Sequence, residues 1–241
     1  MSSAIFSELA PTGKLRVGIN FGNALLTSRD ANGTPGGIAV DLAKELARRV
    51  GVPMDLISYE GAGQTADGAK AGAWDVAFLA ADPARAEEIA FTAPYLEIES
   101  TYLVPAGSPL RALADVDRDG VRVAVSDKSA YDLFLTRSLK RAQLVRAPGI
   151  NASVDLFFAE KLDALAGLKP LLVEVAEKQA GVRVLDGRFT AVQQSVGTPK
   201  GRSAAVKYLR EFVEDIKASG LVAKTIDKNG IRGVSVAPRE N

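Results

Sequence analysis

Trp74-Asp75-Val76-Ala77-Phe78-Leu79, then Asp82-Pro83-Ala84-Arg85-Ala86-Glu87-Glu88, then Phe91-Thr92-Ala93-Pro94-Tyr95: these three neighbouring stretches decide how the chain is read. After its acid the first is an unbroken apolar run, the pattern of a strand covered on both faces. The second carries a helix-start pattern, with an Asp able to cap, a Pro at the first helical position and acids in the first turn. A short helix is therefore predicted from Asp82, ended by Pro94. Ser100 to Val104 then reads as a strand running into the turn cluster Pro105-Ala106-Gly107-Ser108-Pro109.

Outward from this centre, strand-like and helix-like segments alternate in both directions. Leu15 to Ile19 alternates at period two, whereas Val40, Ala43, Leu46, Ala47 and Val50 recur at helical spacing and stop at Gly51. Met54 to Tyr59 is the next strand, and Gly63 to Gly72 a weak, Gly- and Ala-rich helix. Beyond Pro109 the alternation restarts. Strands are predicted over Val121 to Val125, Ala142 to Val145, Leu162 to Ala166, Val182 to Leu185 and Ala191 to Val196. Helices are predicted around Tyr131 to Leu139, Val154 to Phe158 and Pro170 to Ala176, and a last one carries Ala205, Tyr208, Leu209, Phe212, Val213 and Ile216 before Gly220. The fold class is α/β with a restart near residue 105.

Composition removes several chemistries. The 241 residues are 47% hydrophobic and 24% charged, and 30 Lys and Arg against 29 Asp and Glu leave a formal charge of +1. No large field of either sign attracts nucleic acid or an anionic membrane, so a charged ligand must be recognised locally. Without Cys or His there is no thiol nucleophile, imidazole base, Ser-His-Asp triad or Cys- or His-ligated metal. The sequence calls for no cofactor. The loop Asp115-Val116-Asp117-Arg118-Asp119-Gly120 matches the first half of a calcium loop, but its twelfth position is Ser126, where a Glu is needed, so a solvated turn is expected. No segment approaches the roughly 20 apolar residues that span a bilayer. The stretch Met1 to Ala10 has no positive residue and no apolar core of a signal peptide. As written, the chain is expected to start in the cytoplasm, unless a signal was removed and a Met added.

The sequence resembles the type II periplasmic solute-binding proteins, specifically family 3, the polar-amino-acid receptors of ABC importers. The likeness is carried by Gly37-Ile38-Ala39-Val40-Asp41-Leu42-Ala43 with Leu46 and Gly51-Val52, by Asp75-Val76-Ala77 through Arg85 to Phe91-Thr92-Ala93-Pro94-Tyr95, by Leu162-Asp163-Ala164-Leu165, and by the tail from Leu209 through Ser219-Gly220-Leu221. The resemblance implies two α/β lobes, residues 1–103 plus 197–241 and 105–193, joined by hinge strands near 102–106 and 192–197, with ligand held in an interlobe cleft. It also implies a monomeric periplasmic protein that captures a small carboxylate-bearing ligand, presents it to an ABC permease, binds no nucleic acid and performs no chemistry.

Arg85 is the leading candidate residue. In the family its match grips the ligand carboxylate, and a guanidinium fork at a helix N-terminus suits that task; the alternative is an exposed Arg paired with Glu88. Ala80, with Leu79 and Ala81, replaces a region that usually supplies Ser or Thr, and the Asp75–Arg85 stretch is shorter than in typical members. Asn20 and Asn23 follow the first strand, where amino-acid receptors carry an acid for the ammonium group; turn chemistry is the alternative. Ala62 falls where an aromatic often covers the ligand. In the second lobe Lys128-Ser129-Ala130 replaces the usual Gly-Thr/Ser-Thr/Ser, Ser129 and Tyr131 open a helix that Ser129 can cap, and Leu168 stands where a second ammonium-binding Asp is expected. The rival readings are an enzyme resembling the cyclohexadienyl dehydratases of this scaffold, with Glu97, Glu160 or Glu174 as acid, and a cytoplasmic ligand sensor. Glu97 and Glu99 fall on one strand face by alternation.

Overall fold

The computed structural model describes residues 3–240, so Met1 and Ser2, where the signal-peptide reading begins, lie outside the described residues. In chain order the elements are α1 (Ser3–Leu9), β1 (Leu15–Asn20), β2 (Ser28–Arg29), β3 (Pro35–Gly36), α2 (Ile38–Val50), β4 (Met54–Tyr59), α3 (Ala62–Lys70), β5 (Val76–Ala80) and β6 (Ile89–Pro105). They continue with β7 (Arg122–Ser126), α4 (Ala130–Ser138), β8 (Gln143–Ala147), α5 (Ile150–Ala159), β9 (Ala164–Leu168), α6 (Lys169–Lys178), β10 (Val182–Val184), β11 (Thr190–Pro199), α7 (Ser203–Ala218), α8 (Leu221–Lys228) and β12 (Val234–Val236). The chain forms two compact units, Met1–Glu97 with Gln193–Asn241, and Ile98–Val192. It passes from one to the other inside β6 and returns inside β11.

The first unit is built on parallel strands. β1 lies between β4 and β5, with Val17 opposite Leu56 on one side and Val76 on the other, and β11 runs antiparallel to β5 with Val196 opposite Phe78. Leu15, Val17 and Ile19, which share one face of β1, are all fully buried, and on the other face Gly18 is buried against Trp74. Helix α2 buries Ile38, Ala39, Val40, Leu42, Ala43, Leu46, Ala47 and Val50, keeps Asp41 in its first turn and Arg48 and Arg49 in its last, and stops at Gly51, whose φ is 79°. Its start requires glycine, because a Cβ on Gly37 (φ 99°) would stand 2.6 Å from the Leu26 carbonyl oxygen. Asp75 is an interior anchor of this unit. Fully buried, its carboxylate takes Arg16 Nε at 2.9 Å, Arg16 Nη2 at 2.7 Å and Arg202 Nη1 at 3.0 Å. Arg202 also reaches the Glu8 carbonyl at 2.7 Å, and the Glu8 carboxylate accepts from Ala205 N–H at 2.7 Å, which fastens α1 to α7.

In the second unit β7 lies between β8 and β9, both parallel to it, while β6 runs antiparallel to β9 and to β10. Leu103, Ala124, Phe157, Leu162, Leu165 and Leu172 form its core. The calcium-like loop is spent on the backbone: Asp115 accepts the N–H groups of Arg111 and Ala112, and Asp117 those of Lys140, Arg141 and Ala142.

One sequence expectation is overturned and two helices lie beyond what the sequence signalled. The helix predicted from Asp82 is a single 3₁₀ turn, Arg85–Glu87, after which β6 begins at Ile89 and runs through Pro94. The capping signal is real but closes only one turn, and the following Phe91-Thr92 favours extended backbone, whose φ a Pro tolerates. The helix expected before Gly220 is α7, and Gly220, at φ 73°, is the left-handed break after it; α8, which follows, was not predicted. Helix α1 was not predicted, since its few residues bury only Leu9 and show no periodicity.

Candidate functional site

The parallel strands of each unit collect the candidate residues at their C-terminal ends, where open α/β sheets bind ligands. In the first unit Asn20 closes β1, Ala80 closes the adjacent β5, Asn23 and Arg85 lie in the segments that follow, and Ala62 opens α3 beyond β4. In the second unit Lys128, Ser129 and Tyr131 follow β7, and Leu168 closes the adjacent β9. Each group is gathered within its own unit.

Arg85 is only 6% exposed, and its Nη1 donates to the Ala80 carbonyl at 2.7 Å. The exposed pairing with Glu88 is therefore excluded, and the Glu88 carboxylate stands 3.5 Å from Lys70 instead. Burial lowers the Arg85 guanidinium to about 10, with the charge of Asp82 acting in the opposite direction. It stays protonated at neutral pH, and an anion able to reach it would relieve a desolvated cation. The expected helix N-terminus does not assist, because one 3₁₀ turn has little dipole and Asp82 Oδ1 already accepts the Ala84 N–H at 2.9 Å.

The asparagines do turn chemistry. Asn20 Oδ1 accepts from Gly22 N–H at 2.9 Å and Asn23 Oδ1 from Leu25 N–H at 3.2 Å, which leaves their amide NH2 groups as donors. Sequence reasoning passed over Phe21, whose ring carries the Arg29 guanidinium at 4.0 Å. Its signal was its place, directly after the last residue of β1.

In the second unit Ser129 caps α4, its Oγ accepting from Asp132 N–H at 3.1 Å. Tyr131 is 2% exposed, and burial pushes its phenol up to about 12 against hydrogen bonds with Ser129 and Ser126. Leu168 is 4% exposed and apolar, so it offers nothing to an ammonium group. Asp132 and Arg146 were also missed. The spacing of Ser129 and Asp132 is a capping-box signal, whereas Arg146 arrives from β8 and had none.

The carboxylates considered for chemistry are dispersed. Glu97 is half-buried in β6, Glu160 and Glu174 are exposed, the latter paired with Lys178, and Glu99, two residues along β6 from Glu97, is held below the usual carboxylate range by Lys169 at 2.9 Å. Among the described residues no three acids come together to hold a metal ion, and no helix is long and apolar enough to cross a membrane.

Comparison with known structures agrees with the two α/β units. A solute receptor for L-cysteine from Neisseria gonorrhoeae superposes with a TM-score of 0.80 at 21% identity, over 96% of both chains. A putative ABC-transporter binding component from Wolinella succinogenes, complexed with lysine, gives 0.77 at 22% over 90% of this chain and 95% of that one. An ancestral amino-acid-binding protein described as a precursor of cyclohexadienyl dehydratase gives 0.77 at 21%, over 92% and 97%. These likenesses establish the two-lobed periplasmic-binding-protein fold. The family model of bacterial extracellular solute-binding proteins, family 3, matches residues 15–230, nearly the whole chain, and the protein belongs to that family.

Proposed function

We propose that the protein captures a small carboxylate-bearing solute, an organic acid or a modified amino acid, and delivers it as a monomer to an ABC permease outside the cytoplasmic membrane. The observation that carries this reading is Arg85: a buried guanidinium beyond the C-terminal end of a buried parallel strand, held by the Ala80 carbonyl at 2.7 Å and of the planar, forked shape that suits a carboxylate. Family membership supports transport, and the amino-acid ligands named for the structural relatives support the size class. The two positions that would serve an ammonium group hold Asn20 and Leu168, so an α-amino acid would bury its charge without an anion. The common amino acids are expected to bind weakly.

The reading includes no chemistry: of the three candidate acids Glu160 and Glu174 lie exposed and Glu97 is half-buried in β6, so they form no paired set. A thermal-shift screen of dicarboxylates, keto acids, N-acylated amino acids and the twenty common amino acids tests it. A ligand at a hundred times its dissociation constant stabilises the fold by about 2.7 kcal/mol. Stabilisation by acids and not by common amino acids is expected; tight binding of an unmodified amino acid would overturn the ligand class.

A further inference from the structure

The turn Ser126-Asp127-Lys128-Ser129 leads from β7 into α4 and is closed by Ser129 N–H on the Ser126 carbonyl at 3.2 Å. At its centre Lys128 has φ 53°, a left-handed backbone that crowds a side chain against the following carbonyl and that glycine adopts freely. One buried group faces this strained residue. Asp132, 2% exposed, accepts the Lys128 N–H on Oδ2 at 2.8 Å, and its own N–H is held by the Ser129 hydroxyl. The same carboxylate takes Arg146 Nε at 3.1 Å on both oxygens, Arg146 Nη2 donates to Thr136 Oγ1 at 2.8 Å, and Thr136 Oγ1 donates back to the Asp132 carbonyl at 2.8 Å. A single carboxylate thus joins the turn, the first turn of α4 and strand β8.

We propose that Asp132 is the positioning residue that keeps Lys128 left-handed and the 126–129 turn closed, and so presents residues 128–131 to the ligand. Its last clause rests on the function proposed above, but the closure of the turn does not. A charge-assisted hydrogen bond to the Lys128 N–H, with the carboxylate itself locked by Arg146, offsets backbone strain that would otherwise open the turn.

The test is amide hydrogen exchange on the full chain for wild type, D132A, D132N and the double variant D132A/K128G. D132A is expected to speed exchange of the Ser129 amide by about tenfold or more, while Val123 to Val125 in β7 keep their protection. D132N, which retains an acceptor oxygen but not the charge, falls between. Gly at position 128 takes the left-handed backbone without strain, so the double variant recovers protection at Ser129. Unchanged exchange in D132A overturns the proposal. So does loss of protection throughout β7 that K128G does not rescue, because Asp132 is then only a support of the whole unit; if D132A does not fold, the same comparison is made with D132N. Calorimetry with succinate and N-acetyl-L-glutamate as probes completes the test. Weaker binding in D132A, restored in the double variant, supports the ligand clause, and equal binding in all variants overturns that clause. If neither probe binds wild type and no acid stabilises it in the thermal-shift screen, the proposed function fails while the exchange data still decide the turn.

Discussion

Arg85 combines two roles that a substitution separates. Its Nη1 donates to the Ala80 carbonyl and its charge is desolvated, so Arg85→Ala is expected to cost the free protein about 1–3 kcal/mol through loss of that charge-assisted hydrogen bond. Binding of a carboxylate should weaken by a further 2–5 kcal/mol or so, the loss typical of one partner of a buried charged pair. Arg85→Lys should recover part of the stability and little of the affinity, because an ammonium cannot make the bidentate fork. Calorimetry beside urea unfolding separates the two effects, and undiminished affinity in the Ala variant would remove Arg85 from the site. The guanidinium also sets a pH profile. Its folded pKa is depressed to about 10 from an ordinary 12.5, and the anion binds the protonated form. Affinity should therefore stay level through neutral pH and fall only as pH rises through about 10. The motif in the sequence marks the position of Arg85, but its burial and its Ala80 partner depend on where β5 ends. The same limit applies to Asn20 and Asn23, whose side chains proved to close local turns.

At the scale of elements, legibility followed the source of stability. Helix α2 and strand β1 were read from periodicity because each buries a regular apolar face. The Asp82 segment was misread because capping chemistry is local, whereas the pairing of β6 that claims the residues after Glu88 is tertiary. Helix α8 was hidden because a glycine that stops one helix can also begin another. Within α2 an electrostatic prediction can be made. Hydrogen bonds from Arg48 and then Arg49 hold the Glu45 carboxyl at about 2, below its ordinary 4.5, against a desolvation cost that works the other way. A carboxylate with a depressed folded pKa adds stability above its unfolded pKa and loses it as pH falls. Glu45→Gln should therefore destabilise by less than about 1 kcal/mol at pH 7, as partly exposed pairs do. The difference from wild type in urea unfolding should shrink between pH 4.5 and 2. A difference that persists at pH 2 would assign the effect to packing.

For the whole molecule the family resemblance implies two lobes with hinges at 102–106 and 192–197, and the compact units divide inside β6 between Glu97 and Ile98 and inside β11 between Val192 and Gln193. Each unit has a core of its own, Leu103, Leu165 and Leu172 in one and Leu15, Val17 and Ile19 in the other. With two covalent crossings and a core in each, the two units are expected to unfold as separate cooperative units. A ligand that engaged Arg85 and its neighbours alone would stabilise the first unit and leave the second where it was. We propose that residues 128–131 contribute as well and that the strand segments near the two crossings flex when ligand binds. The expected result is then that a saturating ligand found in the thermal-shift screen raises protection from hydrogen exchange in the cores of both units and changes the small-angle scattering profile. Protection confined to Leu15, Val17, Ile19 and their neighbours, with an unchanged profile, would show that the first unit binds by itself. In that case Lys128, Ser129 and Tyr131 leave the site, and Ser129 keeps the capping role that its hydroxyl already performs.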